Sequence, residues 1–298
     1  MIPPVKGVFA ALTTPFEGQE ISAARLQENI RVFNRSDLAG YVVLGSTGEN
    51  VYLSDDESER LVAAAVEAAG PGKTVIAGTA RESTKLTVEF TNRLAGLGVK
   101  AALVRTPGYF RSQMTAEALK AFYLAVADAS RLPILIYNFP QNTGIALESG
   151  LVVELAGQAN IAGYKDSSGN LAAVGEVVPL VPPSFSFLLG TGSLVMPALV
   201  MGASGAILAM ANAAPGLCAR LYRLFQQGSY EEARRLQLDL IPLNRAVVTA
   251  YGVAGLKYAM DLQGLYGGPV RPPLLPLAEK DQAAIKAILQ ELGGIAAD

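Results

Sequence analysis

The chain alternates eight short apolar runs with longer amphipathic segments, and this alternation limits its fold more than any other feature. The runs are rich in Val, Ile and Leu, and they lack strict apolar–polar alternation. Strands buried on both faces have this pattern, which occurs in parallel sheets covered by helices. Eight strand–helix units in 298 residues favour a closed (β/α)8 barrel, the TIM barrel. The predicted strands are residues 7–12, 40–44, 74–78, 101–105, 134–137, 161–165, 185–189 and 206–210, and the predicted helices are residues 23–33, 55–69, 83–97, 115–129, 148–156, 171–179 and 194–201.

The chain beyond the eighth run has two further helical patterns, at residues 217–227 and 230–249. No linker separates them from the preceding runs. We therefore expect a barrel over residues 1–220 and a helical extension over residues 221–298, packed on the barrel. An open doubly wound sheet is the structural alternative. Such a sheet would usually carry a G-x-G-x-x-G phosphate-binding turn after its first strand, and none is present there.

The composition excludes several kinds of catalytic site. The chain has no His and a single Cys, Cys218, which lies in a helical pattern and is expected in the core. A Ser-His-Asp triad, a His-ligated metal, a disulfide framework and a Cys-rich zinc site are therefore all excluded. General acid–base chemistry must come from Tyr, Lys, Asp, Glu, Ser or Thr.

The charge pattern argues against nucleic-acid and membrane partners. The formal net charge is −2, and the Lys and Arg residues are scattered rather than gathered in a stripe. Residues 177–219 contain no charged side chain and are long enough to span a bilayer. Several Pro and Gly residues interrupt that stretch, which predicts a buried strand, a helix and another strand instead. The first residues lack the pattern of a signal peptide, and we expect the protein in the cytoplasm.

Polar residues end four of the predicted strands, and the carboxyl ends of strands are where barrels of this kind carry their chemistry. The second strand ends in GSTGE, whose hydroxyls and backbone N–H groups can face an anion such as a carboxylate. An ordinary turn explains that motif equally well. The fourth strand ends in RTPGYF, where Tyr109 alone is better explained as a loop aromatic. The fifth ends in YNFPQNTG, where Tyr137 is a site hydroxyl or a satisfied core residue.

The sixth strand ends in GYKDSSGN, and Lys165 is its most informative residue. It follows an uncharged run over residues 155–164, and a helical pattern begins soon after it. Removal from water favours the neutral amine, which is the form that attacks a carbonyl carbon. A structural ion pair with Asp166 is the alternative. Because adjacent strand residues point to opposite faces, that alternative is weakened.

Three motifs in order, GSTGE, YNFPQNTG and GYKDSSGN, resemble the pyruvate-dependent class I aldolases, the family of dihydrodipicolinate synthase and N-acetylneuraminate lyase. The resemblance runs from about Pro4 to the GGPVRPPL segment near Leu274. It implies a (β/α)8 barrel with a helical C-terminal extension. It also implies pyruvate as the substrate, no metal or organic cofactor, and a homotetramer made of two tight dimers.

The resemblance also assigns catalytic roles to four residues. Lys165 would form a Schiff base with the 2-oxo carbon of pyruvate, and Tyr137 would shuttle protons. Ser46 would relay protons to Tyr137. Tyr109 would complete the relay by reaching into the site of a neighbouring subunit. A positioned hydroxyl chain of this kind performs general acid–base catalysis without His.

The substrate-binding residues follow in the same way. Ser46 and Thr47 would hold the pyruvate carboxylate, and Gly190 and Ile207 match backbone positions that line the pyruvate pocket. Dihydrodipicolinate synthases usually have Arg in a YNxPxRTG pattern, where it binds the carboxylate of the aldehyde substrate. Here that position is Asn142, whose neutral amide cannot give the bidentate grip of Arg.

This departure shapes the functional expectation. PxNTG, KDSSGN and the segment from Tyr251 to Leu274 are more similar to 4-hydroxy-2-oxoglutarate aldolases, which release pyruvate and glyoxylate. We expect that reaction first. The alternatives are dihydrodipicolinate synthesis from pyruvate and aspartate semialdehyde, with Arg105 or Arg111 replacing the missing Arg, and cleavage of another 2-keto-3-deoxy sugar acid. A barrel that binds an oxo acid without turnover is a further hypothesis from another class.

Overall fold

Eight parallel strands close into a barrel in a computed structural model of the protein, which describes residues 5–293. Around the barrel the order is β1, β10, β9, β8, β7, β6, β5, β4, and β2 and β3 form a separate antiparallel hairpin. The strands are β1 Gly7–Ala11, β2 Phe16–Glu17, β3 Glu20–Ile21, β4 Gly40–Val43, β5 Thr74–Gly78, β6 Ala101–Arg105, β7 Ile134–Asn138, β8 Ile161–Asp166, β9 Ser186–Leu189 and β10 Gly205–Leu208.

Helices follow the strands and cover the outside of the barrel. The first nine are α1 Ala23–Phe33, α2 Asp55–Ala68, α3 Thr84–Ala95, α4 Ala116–Ala129, α5 Pro140–Thr143, α6 Ser149–Leu155, α7 Ala172–Val177, α8 Val195–Val200 and α9 Pro215–Gln226. Then come α10 Tyr230–Asn244, a π-helical turn at Arg245–Ala250, α11 Gly252–Leu262 and α12 Glu279–Glu291. Ser54 starts α2 with the capping box that the sequence predicts: its hydroxyl accepts from the Glu57 N–H, and the Glu57 carboxylate accepts from the Ser54 N–H.

Two apolar cores share the strands. Alternate strand residues point outward into a large core between sheet and helices. The others point inward and fill the barrel with a smaller cluster, among them Phe9, Val42, Ile76, Leu103, Leu135, Leu188 and Ile207. Because this cluster fills the interior of the barrel, a site must lie at one of its open ends, and in barrels of this kind that is the carboxyl end of the strands.

The predicted closed barrel is confirmed, and each of the eight predicted strands matches an observed strand with small shifts at its ends. The hairpin β2–β3 was not predicted, because two-residue strands are too short to show an alternating pattern. Cys218 is fully buried in α9, and burial raises the pKa of its thiol to about 12. The outer ends of the two predicted domains, residues 1–4 and 294–298, lie outside the described residues.

The uncharged stretch over residues 177–219 folds into buried barrel elements. It contains β9, α8 and β10, which is the predicted sequence of strand, helix and strand. Across residues 5–293, no helix combines the length and the apolar character needed to cross a membrane.

Candidate active site

One row of side chains crosses four adjacent strands at the top of the barrel. Arg105 on β6 is the register partner of Tyr137 on β7, which in turn pairs with Lys165 on β8 and then Leu188 on β9. Register partners in a parallel sheet point to the same face. Leu103, Leu135 and Leu188 belong to the interior cluster, so this row faces into the barrel mouth.

Lys165 and Tyr137 lie in direct contact in this row. The Lys165 Nζ is 4.1 Å from the centroid of the Tyr137 ring, and the two residues are 4% and 5% exposed. Asp166 faces the other way: its carboxylate accepts from the amide of Asn138, at 2.8 Å, and from the hydroxyl of Ser168, at 2.7 Å. The ion pair between Lys165 and Asp166 is therefore not formed. A buried amine beside a phenol is equipped to attack a carbonyl carbon and to move a proton.

Gly190 borders the lysine, and Ile207 lies inside the barrel two strands away. A Cβ added at Gly190 would lie 1.8 Å from Oγ of Ser167 and 3.1 Å from Cε of Lys165, so this position must stay a glycine. Ile207 on β10 is 1% exposed and belongs to the same interior cluster as Tyr137. Of the two predicted pocket residues, Gly190 is thus next to the lysine, and the role of Ile207 stays a prediction.

The GSTGE loop forms a single 3-10 turn, Ser46–Gly48, above β4. Its conformation is unusual, because Glu49 has a φ of 55°, in the left-handed region that non-glycine residues seldom adopt. The Glu49 Oε1 lies 2.6 Å from the Nζ of Lys257 on α11, and both side chains are 1% exposed. Its Oε2 accepts a hydrogen bond from the backbone N–H of Arg271. The C-terminal segment therefore holds the loop that carries Ser46 and Thr47.

An outer cavity of about 550 Å³ opens above the ends of β4 to β7. Ser46, Tyr109 and Asn142 all line it, as predicted site residues from three different loops. Thr47 is half-buried next to Ser46 and does not line this cavity. Lys165 and Tyr137 do not line it either. Their row adjoins it through Arg105, which is a lining residue.

The hydroxyl relay that the resemblance implies is not formed within this chain. Tyr109 is 80% exposed at the cavity rim, and its ring packs edge-on against Phe110 at 5.1 Å. In the part of the chain that the structure describes, no hydrogen bond joins the hydroxyls of Tyr109, Ser46 and Tyr137. The Tyr109 side chain is thus presented outward from its own barrel.

The two arginines considered as substitutes for an Arg at position 142 lie in different places. Arg105 lines the cavity, and its Nη2 is 2.8 Å from Oε1 of Glu82. Arg111 does not line it: its guanidinium packs over Gly144, where an added Cβ would lie 2.6 Å from Nη1.

Glu82 is a cavity residue that the sequence analysis missed. Its Oε2 accepts from the backbone N–H groups of Gly108 and Tyr109, both at 2.9 Å. Burial raises the pKa of Glu82, but the backbone N–H of Tyr109 and the guanidinium of Arg105 outweigh that effect, so the pKa is lowered. Glu82 follows β5 by four residues, and examining the end of that strand as well would have found it.

Comparison with known proteins gives consistent results along the whole chain. Residues 4–292 match the model of the dihydrodipicolinate synthetase family. A relative named 4-hydroxy-tetrahydrodipicolinate synthase, from Thermomicrobium roseum, is 37% identical over 96% of this chain and 94% of its own length. The crystal structure of a dihydrodipicolinate synthase from Thermotoga maritima superposes with a TM-score of 0.93, at 27% identity over 97% of this chain and 99% of that one.

A further solved structure adds a ligand to the comparison. It is a dihydrodipicolinate synthase from Acinetobacter baumannii in complex with pyruvate, and it superposes with a TM-score of 0.92, at 27% identity over 97% of this chain and 99% of that one. These relatives bear the name of the synthase, which the sequence analysis holds as an alternative, and not that of the 4-hydroxy-2-oxoglutarate aldolase, which it favours.

Proposed function

Because the chain belongs to the dihydrodipicolinate synthetase family, whose members are class I aldolase-type enzymes, we propose that it forms a Schiff base between Lys165 and pyruvate. The contact between the Lys165 amine and the Tyr137 ring, 4.1 Å apart inside the barrel mouth, is the observation that supports this most strongly. A protonated imine draws electrons from the neighbouring carbon, which is what making or breaking a carbon–carbon bond requires.

The proposed reaction begins when the Lys165 amine adds to the C2 carbonyl of pyruvate and water leaves. Tyr137 gives a proton to the departing water and then takes one from C3, which converts the imine to an enamine. C3 of the enamine then attacks the aldehyde carbon. Tyr137 supplies the proton that the new alkoxide takes up. Water hydrolyses the imine and releases the product and the free amine. Cleavage of a 4-hydroxy-2-oxo acid is the same sequence reversed, with Tyr137 accepting the proton of the 4-hydroxyl.

The GSTGE loop is the proposed site for the pyruvate carboxylate, with Ser46 and Thr47 as its donors. Tyr109 is proposed to complete the proton relay in a neighbouring subunit, within a homotetramer of two tight dimers. Its 80% exposure, next to the exposed Phe110, supports that arrangement. Light scattering after gel filtration should then give four times the 31.2 kDa mass of the chain. A monomer would contradict it.

The names of the relatives support aspartate semialdehyde as the second substrate. On that basis the amino group of the semialdehyde closes a ring by adding to C2 with loss of water, and the reaction is the synthesis of 4-hydroxy-tetrahydrodipicolinate, for which the relative from Thermomicrobium roseum is named. This synthase is the first candidate for the chain.

Asn142 supports a second candidate, the aldolase acting on 4-hydroxy-2-oxoglutarate. Asn142 is exposed on the cavity wall, and its amide lacks the charge of the Arg that synthases usually have there. Glyoxylate is the aldehyde in that reaction. It is shorter than aspartate semialdehyde and has its carboxylate directly on the reacting carbon.

Parallel assays of the purified enzyme separate the two candidates. Turnover of pyruvate with aspartate semialdehyde is measured against cleavage of 4-hydroxy-2-oxoglutarate, each at saturating substrate. The faster reaction identifies the second substrate. Lys165→Met should abolish both activities, whereas Lys120→Met, which changes a surface lysine, should abolish neither. Activity retained by Lys165→Met would overturn the imine mechanism.

A further inference from the structure

We infer that Arg105 binds a carboxylate of the second substrate, in place of the Arg that is missing at Asn142. The inference rests on the proposed function, since it concerns the molecule that the Lys165 imine attacks or releases. It assigns the acceptor to one chemical class, aldehydes that carry a carboxylate, and gives that carboxylate a fixed partner.

The position of Arg105 links the reacting groups to the outer cavity. Its backbone lies two strands from Lys165, which corresponds to about 10 Å. In between is Tyr137, its direct register partner. The Arg105 side chain lines the cavity together with Asn142, and it is 19% exposed. An acceptor in this cavity would have its aldehyde toward the imine and its far end beside the guanidinium.

Neighbouring groups hold the Arg105 guanidinium in place but do not use all of its N–H donors. Its Nη2 contacts Glu82, and its Nη1 donates to the backbone oxygen of Thr106 at 3.0 Å. A guanidinium has five N–H donors, so several remain for a bidentate carboxylate. Glu82 is itself held by two backbone N–H groups of the Tyr109 loop. Glu82 is therefore a positioning residue that orients Arg105.

The neighbouring arginines are less suited to this role. Arg81 also lines the cavity, but its Nε and Nη2 donate to Asp55, its Nη1 donates to a backbone oxygen, and its guanidinium stacks on Phe90 at 3.8 Å. Arg111 lies over Gly144, outside the lining of the cavity. Arg105 thus combines a place on the cavity wall with unused donors.

The test compares Arg105→Gln with Arg111→Gln as the matched control. Losing a hydrogen bond from a charged group to the acceptor should raise the KM for the carboxylated aldehyde about 10- to 100-fold in Arg105→Gln. The KM for pyruvate should stay within about twofold, and Arg111→Gln should match the wild type. Arg105→Lys keeps the charge but loses the planar guanidinium, so its KM for the aldehyde should lie between those of the wild type and Arg105→Gln.

Trapping of the pyruvate imine with borohydride separates the possible failures. This reaction needs no acceptor, so a variant that traps pyruvate at the wild-type rate has a folded, working lysine site. If wild-type enzyme traps no pyruvate, the proposed function fails. If Arg105→Gln traps pyruvate normally and keeps its KM for the acceptor, or if Arg111→Gln is the variant that loses acceptor affinity, the role of Arg105 is overturned. If Arg105→Gln does not fold, Arg105→Lys replaces it, and normal trapping with an unchanged KM for the acceptor again overturns the role of Arg105.

Discussion

Lys257→Met should destabilise the protein strongly, because it removes one partner of a fully buried ion pair. Glu49 and Lys257 are each 1% exposed, and their charged atoms are 2.6 Å apart. The ammonium of Lys257 is the only partner of the Glu49 Oε1 among the described residues. The Nζ also donates to the backbone oxygen of Pro269 at 2.6 Å, and the substitution would leave that oxygen unpaired as well.

The expected cost follows from the uncompensated charge. Breaking a buried ion pair by removing one partner costs about 3–5 kcal/mol. For a chain of this size that corresponds to a fall in Tm of roughly 5–8 °C. The double variant Glu49→Gln/Lys257→Met buries no unpaired charge and should recover at least about 1 kcal/mol of that loss. Because Glu49 ends the loop of Ser46, imine trapping by the single variant should also be slower.

Thermal and urea unfolding followed by circular dichroism measure these differences. Lys120→Met is the matched control, because Lys120 forms an ion pair with Glu154 at the surface, and exposed pairs contribute about 0–1 kcal/mol. A loss below about 1 kcal/mol for Lys257→Met, equal to that of the control, would refute the claim that this pair fastens the C-terminal segment to the site.

Three further predictions concern the site and its supports. Tyr137→Phe should lower kcat about 100-fold or more through loss of the proton donor. Tyr164→Phe changes a tyrosine on the outer face of the next strand and should leave the acid–base chemistry of the site intact. Equal kcat values for the two variants in steady-state assays would contradict this. Gly190→Ala should slow imine trapping, because the new Cβ would lie 1.8 Å from Oγ of Ser167 and crowd Cε of Lys165 at 3.1 Å. Gly150→Ala places its Cβ in open space and should trap pyruvate normally. Hydrogen bonds from the guanidinium of Arg271 lower the pKa of Glu57 from its usual value near 4.5 to about 2, so the stabilisation by this carboxylate is present above pH 4.5 and lost as the pH falls toward 2. Denaturant titrations of Glu57→Gln at several pH values should show a weaker dependence of the unfolding free energy on pH between 2 and 4.5. An unchanged pH dependence would exclude Glu57 as its source.

The barrel could be predicted from the sequence because its signals are local. Runs such as residues 74–78 and 101–105 are apolar on both faces, and each is followed by a helical pattern. The predictions of Lys165 and Tyr137 as candidate site residues also rest on a local signal, because each is a polar residue at the end of an apolar strand. The alternation of side chains along a strand also predicted that Asp166 would face away from Lys165, as it does.

The partners of these residues could not be predicted, because they depend on contacts between distant segments. Glu49 meets Lys257 across more than two hundred residues, and nothing in either local sequence indicates the pair. Glu82 could have been found at the end of β5, but its pairing with Arg105 on the neighbouring strand could not. We propose that the second substrate is selected by such contacts in the outer cavity, which the motifs do not report.

Borohydride reduction in the presence of pyruvate, followed by peptide mass spectrometry, tests the central claim most directly. Reduction should leave a stable adduct on the peptide that contains Lys165, which gains the mass of pyruvic acid less one water and plus two hydrogens. The peptide with Lys257, an equally buried lysine, is the internal control and should be unmodified. An adduct confined to Lys165 is the predicted result. Irreversible labelling of other lysines with Lys165 intact would contradict the account.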